Sequence, residues 1–130
     1  AMAKTITFGE FLRAHRLKAG LGLRAFAEAA GLQPSNLSNT EHGRIAPPQD
    51  GEILNRIADL LNLPEGSAER ASLFDLAVRG RDRLPADVVA FAARTPGIPV
   101  LLRTIENRGL SEKELARLTK YVNRRLRKKA

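Results

Sequence analysis

The sequence predicts an all-α protein, and three observations carry that expectation. Apolar residues recur at three- and four-residue intervals through most of the chain, the spacing that lines one face of a helix. No stretch alternates apolar and polar residues in the way a half-buried strand does. Breaks containing glycine or proline separate the periodic stretches, and two of those stretches open with a capping-box pattern.

The first helix is expected over residues 7–18, with Phe8, Phe11, Leu12 and Leu17 on its inner face and Gly20 ending it. Thr5 or Thr7 caps it, and Glu10 completes a capping box with Thr7. The second helix covers residues 23–30, with Leu23, Phe26, Ala27 and Ala30 inward. Gly31 makes the turn, because glycine takes a positive φ without a Cβ clash. The third helix covers residues 34–41 and opens on Pro34, whose missing N–H would have no partner in a first turn. Gly43 ends it, and residues 45–48 (IAPP) form an extended link, since proline disfavours helical geometry in the residue before it.

A fourth helix over residues 51–61 buries Ile53, Leu54, Ile57, Ala58 and Leu61, and a fifth over residues 68–78 carries Leu73, Leu76 and Ala77. Residues 79–83 (RGRDR) have no apolar periodicity and read as a linker between a domain at 1–78 and a region at 84–130. That region predicts three helices. The first, residues 85–94, is opened by Pro85 and stopped by Thr95, Pro96 and Gly97. The next, residues 99–107, turns Leu101, Leu102 and Ile105 inward and takes Gly109 as its C-cap. The last begins at Ser111, with Glu114 as capping-box partner and a stripe of Leu115, Leu118, Tyr121 or Val122, and Leu126.

Two short helices joined by a glycine turn are the helix-turn-helix pattern, in which the second helix reads DNA. Ser35, Asn36, Ser38 and Asn39 point outward there and Leu37 points inward. A buried helix would not spend four polar residues in this way, and a merely solvated one more often carries Lys and Glu. This polarity suits hydrogen-bond readout.

Residues 7–63, a little under half of the chain, resemble the Cro/C1-type (Xre) helix-turn-helix domain of phage and bacterial repressors. The resemblance lies in FLRAHR in the first helix, LGL before the second, the Ala27 to Gly31 spacing, PSNLS in the third and EHGR closing it. It implies a five-helix, lambda-repressor-like DNA-binding domain, followed here by a short helical C-terminal dimerisation region. It also implies a structural salt bridge between Arg16 and Glu41, for which a planar guanidinium suits a bidentate contact.

Carried over by position, the base-contacting residues are Gln33, Ser35, Asn36, Ser38 and Asn39, and the phosphate-contacting residues are Arg24, Gly43 and Arg44. Gln and Asn bond adenine bidentately, whereas Ser meets several bases. Arg24 would assist the N–H groups at the start of the second helix. The chain departs from the family pattern at Gly22, in place of a more usual Ser or Thr cap, and at Leu23, in place of a common glutamine. Pro34 stands where the familiar phage repressors place a base-reading side chain. Arg13 and Lys18 read equally well as phosphate contacts or as solvated cations, and Ser35 and Ser38 also suit a capping or solvated role.

The resemblance implies a sequence-specific double-stranded DNA-binding transcriptional regulator, a homodimeric repressor reading the major groove with residues 34–41. The alternative is an antitoxin-like or protease-regulated interaction protein, which binds a partner such as a toxin or a metallopeptidase through its C-terminal helices and autoregulates its operon. Three short helices bury little by themselves, and a second copy is the natural remedy. Leu101, Leu102, Ile105, Leu115, Leu118 and Val122 are therefore assigned to dimerisation. Partner binding and packing back on the headpiece stay open beside that assignment.

The net charge of +8 favours a polyanionic partner. It is unevenly placed: seven Lys/Arg against six Asp/Glu over residues 1–63, four against four over 64–83, and eleven against four over 84–130. The basic run at residues 124–129 reads either as a phosphate grip or as a helix end whose cations complement its dipole. With no Trp and few aromatics, the chain offers no stacking platform for single strands.

Cysteine is absent and His15 and His42 are the only histidines, so neither a zinc site nor a cysteine nucleophile is expected. A pairing of His42 with Ser38 lacks a third orienting group. The expectation is a protein that is not an enzyme and needs no metal or cofactor. No apolar run reaches the roughly 20 residues of a membrane span, which suggests a cytoplasmic location.

Overall fold

The computed structural model describes residues 6–128. Among them are eight α-helices and no strand: α1 (Phe8–Lys18), α2 (Leu23–Ala30), α3 (Pro34–Glu41), α4 (Gly51–Leu60), α5 (Ala68–Val78), α6 (Ala86–Ala93), α7 (Gly97–Arg108) and α8 (Glu112–Arg125). The chain divides into two compact units, residues 1–90 and 91–130.

In the first unit the ends of the helices follow from local chemistry. Thr7 caps α1: its hydroxyl accepts from the Glu10 N–H at 3.1 Å, and its own N–H donates to Glu10 Oε1 at 2.9 Å. Thr5, the other expected cap, lies outside the described residues. Gly31 ends α2 with φ +79°. The Leu32 N–H reaches back to Ala27 O at 2.8 Å, satisfying a carbonyl the helix would otherwise orphan. Asp50 caps α4 and Ser67 caps α5 through side-chain oxygens that accept from first-turn N–H groups.

Those ends aim the apolar faces at one core, formed by Phe8, Phe11 and Leu12 of α1, Phe26, Ala27 and Ala30 of α2, Leu37 of α3, Leu54, Ile57 and Ala58 of α4, and Leu73, Phe74 and Ala77 of α5. Leu61 and Leu63, which follow α4, complete it. Removing such side chains from water at about 25 cal/mol per Å² is the dominant favourable term in folding.

Two expectations are corrected. Leu17 is 53% exposed, and the inner position of that turn belongs to Arg16, which is 6% exposed. Helical rotation explains the exchange: Arg16 follows Leu12 by four residues and stays on its face, whereas a fifth residue swings well away from it. The break after α6 is also shorter than expected. Gly97 opens α7 rather than ending the previous helix, with Pro96 at the N-cap.

In the second unit no described residue is buried. Gly109 closes α7, and Ser111 and Glu114 form a capping box on α8. The Ser111 N–H and hydroxyl both bond Glu114, which holds that carboxyl below the ordinary carboxylate range. No single described helix is long and apolar enough to cross a membrane.

Candidate nucleic-acid interface

The two arms of the site are α2 and α3, joined by a three-residue turn at Gly31, Leu32 and Gln33. The turn needs glycine for its positive φ, and Arg56 of α4 lies beside it: an added Cβ at Gly31 would stand 2.8 Å from the Arg56 guanidinium. α3 is fixed from behind. Leu37 and Thr40 are buried, and the Thr40 hydroxyl donates to Asn36 O at 2.9 Å.

The C-terminal end of α3 is clamped by Arg16. Its Nε donates to Glu41 Oε2 at 2.6 Å, its Nη2 to Glu41 Oε1 at 2.9 Å, and its Nη1 to Leu21 O at 2.9 Å. One guanidinium therefore ties α1 and α3 to the residue that leads into α2. The bond to Glu41 holds the Arg16 pKa above its ordinary value. Gly9 permits the same close approach from α1, since a Cβ there would overlap the carbonyl oxygens of Thr40 and Glu41.

With its rear face anchored, α3 presents Gln33, Ser35 and Asn36 as exposed side chains at its N-terminal turn, while Ser38 and Asn39 are half-buried. Asn39 Oδ1 accepts from Arg44 Nη1 at 3.4 Å, a long and weak contact. α2 begins at Gly22 without any side-chain cap, so its first-turn N–H groups have no capping oxygen, and exposed Arg24 stands in that same turn.

At the far end of α3 the Gly43 N–H donates to Thr40 O at 3.1 Å and the Arg44 N–H to Asn39 O at 2.8 Å. Both amides are thus spent in closing the helix. The Arg44 guanidinium is exposed beside them, and Gly43 has open space around it. Arg13 and Lys18 are exposed on α1. His42 Nδ1 lies 2.8 Å from the Ser38 backbone oxygen, not from its hydroxyl.

The proposed dimerisation residues fall in the second unit, where Leu101, Leu102 and Val122 are exposed and Ile105, Leu115 and Leu118 are half-buried. Of the basic run at 124–129, Lys129 lies outside the described residues.

Several residues that hold the site in place gave no clear sequence signal. Arg70 of α5 is buried and donates to Asp59 Oδ1 at 2.9 Å, Leu63 O at 2.8 Å and Asn55 Oδ1 at 3.0 Å. It joins the end of α4 to α5. Gly9 and Thr40 likewise act only through contacts that form once α1 and α3 meet.

No curated protein and no solved structure matches the chain. A family model described as a helix-turn-helix domain matches residues 7–73, which takes in α1 to α4 and the first half of α5. That agrees with a Cro/C1-type regulator. By this match, and with α2, the Gly31 turn and α3 in the expected order, the chain belongs to the helix-turn-helix domain family of DNA-binding regulators.

Proposed function

We propose that the protein is a sequence-specific double-stranded DNA-binding repressor, dimeric and cytoplasmic, that sets α3 into the major groove. One observation carries this reading: α3 is locked from behind by Leu37, Thr40 and the Arg16–Glu41 pair, while its first turn offers Gln33, Ser35 and Asn36 to a ligand. A rigid helix with short amide and hydroxyl side chains at its N-terminal end suits base edges, whose donor and acceptor pattern it can match bidentately. The uncapped start of α2 with Arg24, together with Arg44 beyond α3, brackets those side chains with phosphate-binding groups.

Within the recognition set, the exposed Gln33, Ser35 and Asn36 are the principal base readers. Ser38 and Asn39, being half-buried, support them at the edge of the contact. Dimerisation through residues 84–130 rests on the absence of any buried residue in the described second unit. A second reading rests on the same absence: those helices cover a different protein, such as a toxin or a metallopeptidase, and DNA binding serves autoregulation.

Asn36 and Arg44 separate base reading from phosphate contact. Asn36→Ala is expected to lose about 1–3 kcal/mol of discrimination at one base position, with other positions unchanged. Arg44→Ala is expected to weaken binding to all sequences alike and to lower the salt slope by about 1. Quantitative binding to a panel of single-base variants at several salt concentrations checks both. An Asn36→Ala protein with unaltered preference would remove α3 from the role assigned to it.

A further inference from the structure

We infer that α8 carries a second contact surface for duplex DNA, a line of four cations that grips the phosphate backbone regardless of sequence. Lys113, Arg117, Lys120 and Arg124 follow one another at steps of four, three and four residues along α8. At 3.6 residues per turn these steps keep all four within a sector of about 60°, over a length of about 16 Å. All four are exposed, and none forms a salt bridge among the described residues.

The opposite side of α8 bears Leu115, Leu118 and Val122, so the helix has an apolar face and a basic face set back to back. Arg127 and Lys128, also exposed, extend the positive charge past the end of the helix. Such a face fits a uniform polyanion better than a single anion. Over about 16 Å of axis a duplex offers about five phosphates on each strand, enough to meet all four cations.

The charge distribution favours this contact. Residues 1–63 hold seven Lys/Arg against six Asp/Glu, and Arg16 among them is committed to Glu41. Residues 84–130 hold eleven against four. Release of counterions by phosphate contacts supplies most of non-specific affinity, and nearly all of the net positive charge lies in residues 84–130. In this arrangement α3 reads the sequence and α8 holds the protein on the duplex.

The inference rests on the reading of the chain as a duplex binder, and the test separates the two. Affinity of the full chain for a mixed-sequence duplex three helical turns long is measured against salt concentration. The wild type is compared with K113Q/R117Q/K120Q/R124Q, with the half-variant K113Q/R117Q, and with R81Q/R94Q/R103Q/R108Q, which removes the same charge elsewhere. The first variant is expected to lower the salt slope by about 3–4 per protomer, the second by about half of that, and the control by less than 1.

A wild type that binds no duplex overturns both readings. A wild type that binds with a slope the α8 variants leave unchanged overturns the α8 surface alone. Equal losses from the control and the α8 variant overturn it too, since net charge would then be the cause. Competition by poly-glutamate more effective than duplex at equal charge assigns the face to an acidic protein and also overturns it.

Discussion

Arg16→Ala is expected to cost about 3–5 kcal/mol of stability, the range found when one partner of a buried ion pair is removed. The Glu41 side chain is 1% exposed, and truncation of Arg16 would leave that carboxylate without its two charged donors, 2.6 and 2.9 Å away. The Leu21 carbonyl would lose its donor in the same step. Against a typical total of 5–15 kcal/mol this is a large fraction. Arg16→Lys is expected to recover only part of the loss, because an ammonium cannot span both carboxylate oxygens and the Leu21 carbonyl at once. Replacing both partners, as in Arg16→Met with Glu41→Leu, is expected to be far milder than either single change to alanine. Denaturant unfolding of the full chain measures all of these, and a double variant as unstable as Arg16→Ala would contradict the account.

Gly9→Ala is expected to destabilise, although the same change in an exposed helix interior stabilises by about 1 kcal/mol. The added methyl would overlap the carbonyl oxygens of Thr40 and Glu41, which are backbone atoms and cannot rotate aside. α1 and the end of α3 must then separate, at a cost of about 1–3 kcal/mol or more. The same shift disturbs Arg16 and Glu41, so DNA affinity is expected to fall along with stability. Gly51→Ala is the matched control in the first turn of α4. Its Cβ would stand 3.6 Å from the Ala86 Cβ, an ordinary contact, so that change is expected to be neutral or slightly stabilising. Thermal unfolding of the two variants side by side checks the contrast in sign.

Both contacts bear on how much of this protein is legible in its sequence. The spans of α2, α3 and α5 follow from Gly31, Pro34 and the breaks around residues 64–67 and 79–83. The capping boxes of α1 and α8 are strong because each is a local, reciprocal pair of hydrogen bonds between residues three apart. Arg16 and Glu41 were legible only through a family resemblance, since nothing local joins residues 25 positions apart.

Arg70 was not legible at all. A lone arginine on an amphipathic helix reads as solvated, and its burial arises only when Asn55, Asp59 and the Leu63 carbonyl are brought around it. Gly9, in the first turn of α1, gives no signal in the sequence, and its value lies in what α3 places against it. Leu17 is exposed although its hydrophobicity suggests an inner position, because the helical rotation assigns that position to a charged neighbour, Arg16. Sequence thus marks most helix ends, though not the start of α7, and long-range polar contacts decide how the helices are locked.

The exposed, uncharged side chains at the start of α3 are the centre of the functional account. Selection of binding sites from a random duplex pool by the full chain, at two salt concentrations, tests it most directly. The account predicts an inverted repeat with half-sites centred about 34 Å apart, one helical turn, recovered at both concentrations. Enrichment of no motif, with binding that vanishes at the higher salt, would contradict it, leaving a protein that holds DNA by charge alone and does not read it.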